Sequence, residues 1–479
     1  MNDHPTSRKI RERFFVVETF PGDKMQQQAL PLQPEGGISS GQTLLVVGAG
    51  PKAIALAAKR EVLAKRGLPV PELVIVDFQG VAARWLGRFG FTDGRQLLGT
   101  RPEKDIGFPY ASICWGTKEV NKMVVKEMFQ LSWHSYLVEE GRYTDWIDRG
   151  RTRPTHREWA TYLQWVAGRV GMCVTLAEVR SIGRSEDHIS WQLSCRSVTD
   201  NSPLTIVGQG LVMTGSGTPI AIPGQPASHP RVMDGASFWL HTGDFVRLQA
   251  TLTSPVHIGV IGTGETAAAI VTALLNALND LAVIEVVSPS GVLYQRDEGF
   301  EENRLFSDPD ARLARLRDDH RHELTWLSMT ERDRREFLRR TDRGVFSLYA
   351  MEEINRAENV RSIKGTAMQM HVADDRVSVD MEYDGKIERD EYDYVVVAIG
   401  FNALWFSDLF DEETLGYVSA ATDSLSRTTI ERTIGEDLSI QNLEPRLHLP
   451  MLAGVAQGPG FPNLSCLGLL ADRILSSYL

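Results

Sequence analysis

The chain has 479 residues, more than one hydrophobic core normally serves, so its length predicts two or three domains. Its net charge of −11 argues against a nucleic-acid-binding protein, which would carry a basic surface. No apolar run is long enough to span a bilayer. The N-terminus has no apolar segment typical of a secretory signal, which predicts a cytoplasmic protein. The cysteines Cys114, Cys173, Cys195 and Cys466 form no C-x-x-C pair, which argues against a redox disulfide and a zinc site.

The first forty residues, rich in Gln, Pro, Gly and Ser, predict an extension ahead of the folded part. LLVVGAGPKAIALAAK at 44–59 and PELVIVD at 71–77 then follow the order strand, glycine loop, helix, strand of a dinucleotide-binding unit. In the loop, Gly48 permits a tight turn and Gly50 lets the backbone approach a pyrophosphate. The helix that starts at Pro51 points its amide end at that anion.

The end of the second strand carries Asp77, where a carboxylate accepts hydrogen bonds from a ribose. A second loop, HIGVIGTGETAAAIV at 257–271, repeats the geometry, but no acid ends its following strand. Ser288 and Ser290 stand there, with Arg296 shortly after. A missing acid favours NADPH over NADH, because nothing repels a 2′-phosphate; the alternative is that the two serines only cap a turn.

The late segment DYVVVAIGF is either an ordinary buried strand or the strand that returns the chain, with Gly400, to the first domain. Together with the two loops it predicts an α/β flavoprotein with two Rossmann-like domains, for FAD and for NADPH, and a smaller, mostly helical substrate-binding region. The predicted parts are an N-terminal extension (1–40), a first FAD part (41–250, with helical elements at 111–170), an NADPH domain (251–390, with a helical insertion at 301–356) and a second FAD part (391–479).

Two-nucleotide flavoproteins are mainly disulfide reductases or monooxygenases, and the reductases need a cysteine pair that this chain lacks. Several stretches resemble the flavin-dependent N-hydroxylating monooxygenases, and most closely the lysine N6-monooxygenases of mycobactin- and nocobactin-type siderophore pathways. They are LLGTRPEKDIGFPYAS at 97–112, EGFEENRLFSDP at 298–309, TDRGVFS at 341–347, ALWFSDLF at 403–410 and GPGFPNLSCLGLL at 458–470. The resemblance runs from about residue 44 to the C-terminus.

The resemblance implies roles for individual residues. Lys104 matches the lysine that binds the substrate carboxylate, and Asn303 an asparagine at the amino-acid end of the substrate. Trp85 matches an aromatic beside the flavin, and Asn463, Leu464 and Ser465 are expected to open a final helix that faces its pyrimidine ring. The expected FAD-binding residues are Gly48, Gly50, Pro51, Lys52, Asp77, Trp85, Gly99, Gly400, Asn463, Leu464 and Ser465, and those for NADPH are Gly262, Thr263, Gly264, Glu265, Thr266, Ser288 and Arg296.

Two positions differ from the ornithine hydroxylases, which carry a glutamine where this chain has Gly99 and an asparagine where it has Asp342. The added carboxylate of Asp342 could meet a substrate ammonium, a ribose hydroxyl or nothing, and it is counted with the substrate-binding residues. No protein nucleophile and no metal is expected. The implied reaction is hydroxylation of a side-chain amine of a free amino acid by a C4a-hydroperoxyflavin, formed from FAD, NADPH and O2.

The resemblance favours L-lysine as the substrate and a role in siderophore or other natural-product synthesis. Alternatives are L-ornithine or another primary amine, a Baeyer–Villiger or sulfur-oxidising flavoprotein, and a non-catalytic FAD- and NADPH-binding protein. One methylene of difference between lysine and ornithine changes selectivity only modestly, so the sequence does not locate the end of the pocket. Relatives are often tetramers, which predicts a homo-oligomer, and neither nucleic acid nor membrane is expected as a partner.

Overall fold

A computed structural model of the chain describes residues 39–296, 304, 306–308, 325–341 and 344–479. The strands within these ranges are β1 (Ser39–Val47), β2 (Val70–Asp77), β3 (Val174–Arg184), β4 (Trp191–Ser197), β5 (Pro203–Gly208), β6 (Gly210–Met213), β7 (Val232–Asp234), β8 (Val256–Ile261), β9 (Ala282–Ser288), β10 (Val360–Lys364), β11 (Thr366–Val372), β12 (Val377–Tyr383), β13 (Lys386–Tyr392), β14 (Tyr394–Val397) and β15 (Arg446–His448).

The helices of the same ranges are α1 (Pro51–Lys65), α2 (Lys118–Phe129), α3 (Trp133–Glu139), α4 (Tyr143–Asp148), α5 (His156–Arg169), α6 (Thr242–Gln249), α7 (Glu265–Leu278), α8 (Glu331–Thr341), α9 (Leu348–Arg356), α10 (Glu412–Ala421), α11 (Arg427–Thr433), α12 (Gly454–Gln457) and α13 (Leu467–Ser476). Short 3-10 helices occur at Ala83–Trp85, Ser237–Leu240, Asn279–Leu281 and Trp405–Leu409. Among the described residues, no helix combines the length and the apolar character that a membrane crossing requires.

The first sheet contains seven strands in the order β15-β6-β1-β2-β3-β4-β5. Strands β15, β6, β1, β2 and the start of β3 run parallel, and β3, β4 and β5 form an antiparallel extension. Leu44, Leu45 and Val46 of β1 are fully buried, as expected for a parallel strand covered on both faces. Helices α1, α5 and α13 supply much of that cover through buried apolar residues, so the predicted first nucleotide unit is present.

The second sheet is fully parallel, with five strands in the order β10-β9-β8-β14-β7. Helix α7 packs on it with α9, and both contribute buried residues to the core of this sheet. The predicted second unit, β8-α7-β9, is therefore also present. A third, antiparallel sheet of β11, β12 and β13 follows, and its buried side chains pack with residues of the second sheet.

The prediction that DYVVVAIGF returns the chain to the first domain is wrong. β14 lies in the second sheet, paired with β8 from Tyr394–Ile258 to Val397–Ile261 and with β7 on its other side. This placement buries Val395 and Val396 completely between neighbouring strands. The predicted boundaries at 250 and 391 are therefore also wrong, because β7 and β14 belong to the second sheet and the chain packs on the core of the first again from Ala403.

The two connections between the sheets run side by side. The N–H of Ile220 donates to the Gly400 carbonyl over 3.0 Å, and the N–H of Asn402 donates to the Thr218 carbonyl over 2.8 Å. The proline-rich stretch at 218–230 thus starts at this crossing. Gly400 is part of the connection itself.

The helical insertion predicted at 301–356 is divided between the two sheets. α9 packs on α7, whereas α8 is attached to the C-terminal part of the chain by the ion pairs Arg335–Glu431 (2.6 Å) and Arg432–Glu331 (2.7 Å). Thr330 caps the start of α8, because the Asp333 N–H donates to Thr330 Oγ1 over 3.2 Å. The assignment of the whole insertion to the NADPH domain is therefore wrong for α8.

Candidate nucleotide and substrate site

The first glycine loop has the geometry of a phosphate cradle. Gly48 has φ +102°, and a side chain there would collide with Thr214 Oγ1, so only glycine fits. Gly50 is extended and faces open space, with no atom within 4 Å of the position a side-chain carbon would take. α1 begins at Pro51 without a side-chain cap. Its first N–H groups therefore have no intrahelical acceptor and suit an anion such as a pyrophosphate.

Asp77 ends β2, as predicted, and lies against this loop. Its carboxylate accepts hydrogen bonds from the N–H groups of Ala49 (3.0 Å), Gln79 (2.7 Å) and Gly80 (2.8 Å). These bonds fix the turn after β2 to the glycine loop. An ionised carboxylate has about four acceptor positions, so one is left for a ribose hydroxyl.

Lys52 joins the two halves of the site. It is 5% exposed, and its Nζ donates to the carbonyls of Phe461 (2.8 Å) and Asn463 (2.9 Å). Asn463 in turn accepts the Ser465 N–H on Oδ1 over 2.8 Å, and Leu464 is half-buried. The final helix, α13, begins at Leu467, so the prediction that residues 463–465 open it is wrong: they form the preceding turn.

Trp85 ends a short 3-10 helix after β2, and its ring meets that of His156 edge to face at 4.8 Å. His156 is the first residue of α5, and burial lowers its pKa to about 4, so its imidazole is neutral at physiological pH. Arg84, which sequence reasoning did not single out, lies over the Phe91 ring at 4.5 Å. Its pKa is lowered by burial, an effect that the neighbouring Asp77 partly offsets.

Lys104 lies on a loop that packs against the start of α13. It is half-buried, with Nζ 5.7 Å from the centre of the Phe108 ring. Burial raises the pKa of the Cys466 thiol to about 12, and the charges of Lys104, Asp308, Arg304 and Lys52 act on the same thiol. Arg304 and Asp308, which sequence reasoning missed, thus act with Lys104 on one thiol at the start of α13. Asn303 and Asp342, also predicted to bind substrate, lie outside the described residues.

The second glycine loop repeats the geometry of the first. Gly262 has φ +125°, and a side chain there would collide with the Ala398 carbonyl, whereas Gly264 faces open space. α7 begins at Glu265, again without a side-chain cap. Thr263 and Thr266, predicted to contact the nucleotide, are half-buried on either side of this start. The residues of both loops therefore fit a dinucleotide phosphate.

Glu265 and Arg296 meet at this second loop, 3.6 Å apart. Burial raises the pKa of Glu265, and Arg296 counteracts that shift. Ser288 is 3% exposed, and its hydroxyl accepts the Gly291 N–H over 3.1 Å. The alternative that the serines cap a turn is therefore correct for Ser288, which is too buried in this conformation to contact a nucleotide directly. No acid ends β9, as predicted.

A cavity of about 140 Å³ separates the second loop from residues of the first domain. Gly99, predicted to contact FAD, lines this cavity. A side-chain carbon added at Gly99 would lie 3.5 Å from Glu265 Oε1 and 3.6 Å from Arg296 Nη1, so Gly99 marks the boundary between the two predicted nucleotide sites. Arg153 and His156 line the same cavity from the first domain.

Two sheets with parallel strands at their centre, each with an uncapped helix behind a glycine loop, define a two-domain dinucleotide-binding oxidoreductase. The profile of the L-lysine 6-monooxygenase/L-ornithine 5-monooxygenase family matches residues 127–403. The chain is also 38% identical over 444 residues to the L-lysine N6-monooxygenase MbtG of Mycolicibacterium paratuberculosis, covering 91% of this chain and 96% of that protein. It belongs to the L-lysine 6-monooxygenase/L-ornithine 5-monooxygenase family.

Solved structures share this fold. Lysine monooxygenase NbtG from Nocardia farcinica is 38% identical and superposes with a TM-score of 0.74, covering 90% of this chain and 98% of that one. Ornithine hydroxylase PvdA from Pseudomonas aeruginosa has the same fold, with a TM-score of 0.67 at 20% identity and coverage of 91% and 98%.

Proposed function

We propose that this protein hydroxylates the side-chain amine of free L-lysine at N6, with FAD at the first loop, NADPH at the second and O2 as co-substrate. The observation that carries the proposal is similarity along nearly the whole chain to L-lysine N6-monooxygenases, at 38% identity over 91% of the chain. The position of Lys104 supports it, because its loop is hydrogen-bonded to α13 through the Phe108 carbonyl and the Gly468 N–H, and a cation there can hold an amino-acid carboxylate.

The first loop and the C-terminal turn together form the proposed FAD site. When bound, FAD reduced by NADPH supplies the activated oxygen that the amine attacks. The chain contributes the cradle at Gly48 and Gly50, the acceptor Asp77 and the turn at 463–465 that Lys52 holds in place. Of the residues predicted for NADPH, Gly262, Gly264 and the start of α7 supply the corresponding cradle.

Lys104 has the role of binding the substrate's α-carboxylate. The amine at the other end must be neutral to attack oxygen, although the pKa of free lysine is near 10.4. Removal of water around that amine lowers its pKa, because burial disfavours the charged form. The substrate carboxylate therefore needs a polar contact, and the amine needs a pocket without water. Asn303 and Asp342 are also proposed to bind the substrate.

L-Ornithine is the second candidate substrate, because the matching family comprises both lysine and ornithine enzymes. A shorter side chain held by the same cation would stop one methylene short of the flavin. A methylene is worth about 1–3 kcal/mol in a pocket, or roughly 10- to 200-fold in rate, so the two amines are distinguishable by direct comparison.

The test is NADPH oxidation by the FAD-loaded chain with L-lysine, L-ornithine or cadaverine, with the hydroxylamine product quantified. Lys104→Met should raise KM for L-lysine roughly 10- to 100-fold, the cost of one charge-assisted hydrogen bond. Lys122→Met, on the exposed side of α2, is the matched control and should leave KM unchanged. Peroxide release without hydroxylamine for every amine would refute the proposal.

Three further parts of the proposal concern the protein's setting. We propose a homo-oligomer, up to a tetramer, which light scattering of the purified chain tests directly. We also propose that the enzyme works in the cytoplasm and that its hydroxylated product enters siderophore or related natural-product synthesis. Deletion of the gene should then abolish a hydroxamate product that added N6-hydroxylysine restores.

A further inference from the structure

The loop that carries Lys104 consists of three successive turns. The Lys104 N–H donates to the Arg101 carbonyl over 3.0 Å, the Phe108 N–H to the Asp105 carbonyl over 3.2 Å, and the Tyr110 N–H to the Gly107 carbonyl over 2.8 Å. Asp side chains in such turns accept a hydrogen bond from the backbone two residues on. Asp105 does so here, because its carboxylate accepts the Gly107 N–H.

Asp105 is fully buried and accepts three hydrogen bonds through its side chain. Oδ1 accepts the Tyr110 hydroxyl at 2.6 Å and the Gly107 N–H at 3.1 Å, and Oδ2 accepts the N–H of Trp133, the first residue of α3, at 2.8 Å. One carboxylate therefore ties both ends of the 105–110 turn to α3. Burial raises its pKa to about 7, and the hydrogen bonds to it act in the opposite direction.

The other face of the loop is fixed to α13. The Gly468 N–H donates to the Phe108 carbonyl over 2.8 Å, and any side chain at Gly468 would collide with the Gly107 carbonyl. The loop is thus held between α3 and the helix that follows the proposed flavin-facing turn. The position of Lys104 relative to α13 and α3 depends on both attachments, and Asp105 supplies the side-chain part.

We propose that Asp105, through Tyr110 and the first residue of α3, is a positioning residue that fixes where Lys104 holds the substrate carboxylate. It thereby sets the side-chain length that brings the amine to the flavin, which makes it a determinant of lysine against ornithine. The inference rests on the proposed function, because it assumes that Lys104 binds the α-carboxylate.

The experiment compares Asp105→Asn and Tyr110→Phe with the wild type, using the full FAD-loaded chain. Asp105→Asn places an amide where the carboxylate accepts hydrogen bonds from three donors, and Tyr110→Phe removes only one of those donors. The measurements are kcat and KM for L-lysine and L-ornithine, and the inhibition constant of cadaverine as a competitor. Cadaverine has no carboxylate and so does not depend on where Lys104 lies.

Asp105→Asn should raise KM for L-lysine roughly tenfold, the effect of one lost hydrogen bond to a charged group. Tyr110→Phe should raise it by a smaller factor in the same direction. In both variants the preference for L-lysine over L-ornithine should fall, while the inhibition constant of cadaverine changes less than about twofold. Asp411→Asn is the matched control, because Asp411 also accepts a backbone N–H, that of Thr414 at 2.8 Å, but at the cap of α10.

Four results would overturn the inference. Unchanged KM and unchanged amine preference in both variants would show that the position of Lys104 does not depend on Asp105. A parallel loss for L-lysine and cadaverine would show a general structural effect. If Asp105→Asn does not fold, Tyr110→Phe decides by the same criteria. A wild type that hydroxylates no amine would overturn the proposed function and this inference together, whereas a Lys104→Met defect without a Tyr110→Phe effect would overturn the inference alone.

Discussion

A buried ion pair between α1 and α13 allows a quantitative test of the structure. Lys59 Nζ lies 2.6 Å from Asp472 Oδ1, and the two side chains are 1% and 3% exposed. The carboxylate also accepts the Ser112 hydroxyl at 2.8 Å and the Trp115 indole N–H at 3.0 Å. The cluster therefore connects the helix of the first glycine loop, the loop that follows Lys104 and the C-terminal helix.

Replacing Asp472 by Asn leaves the Lys59 ammonium buried without a counter-ion. Breaking a buried pair in this way costs about 3–5 kcal/mol, a large fraction of the roughly 5–15 kcal/mol that stabilises a typical domain. Lys59→Met should cost a similar amount, because it leaves the Asp472 carboxylate with only neutral donors. The double variant, Lys59→Met with Asp472→Leu, removes both charges and should cost less than either single change.

The assay is urea unfolding of the FAD-loaded protein, followed by flavin fluorescence and by tryptophan fluorescence. The double-mutant cycle should give a coupling of at least about 2 kcal/mol, because neighbours in one hydrogen-bonded network are not additive. Single variants that cost less than about 1 kcal/mol would refute the reasoning. A double variant whose cost equals the sum of the single variants would refute it as well.

Other predictions concern the second nucleotide site and pH. Gly262→Ala should slow the reduction of the flavin by NADPH at least about 100-fold while FAD stays bound, because the added methyl group would collide with the Ala398 carbonyl. Stopped-flow absorbance of the flavin measures this rate. Ser290→Asp adds an exposed carboxylate after β9 and should lower the preference for NADPH over NADH about tenfold, seen in the ratio of kcat/KM values. His448 is fully buried, hydrogen-bonded to Tyr478 at 2.8 Å, and burial lowers its pKa to about 4. The unfolded chain binds a proton at this histidine near pH 6.5, whereas the folded chain does so only near pH 4. The free energy of unfolding should therefore fall as the pH drops from about 6.5 to about 4, by on the order of 3 kcal/mol. His448→Gln should flatten this pH dependence, which urea titrations at each pH measure.

Local patterns in the sequence predicted the two nucleotide units. The order of strand, Gly48, Gly50, helix and Asp77 is set within one short stretch of chain, and the structure has it as expected. The second loop, with Gly262 and Gly264, is equally local. Both loops are predictable because each requirement, a positive φ or an open approach to the helix start, falls on a single glycine.

Pairing between distant segments could not be predicted in the same way. Val395 and Val396 suit the centre of any parallel sheet, so the sequence of β14 is compatible with the first sheet and with the second. Its pairing with β8 places it in the second sheet. Asp105 was missed for a similar reason, since its partner Trp133 is 28 residues away. The missing acid at the end of β9 did not predict what Ser288 does. That serine caps a turn instead of facing a nucleotide.

The most direct test of lysine N6-hydroxylation is the stoichiometry between NADPH oxidised and N6-hydroxylysine formed by the FAD-loaded chain in the presence of L-lysine. We expect close to one N6-hydroxylysine for each NADPH, with far less product from cadaverine, which has no carboxylate for Lys104. NADPH oxidation that yields only hydrogen peroxide with L-lysine, L-ornithine and cadaverine would contradict the proposed reaction.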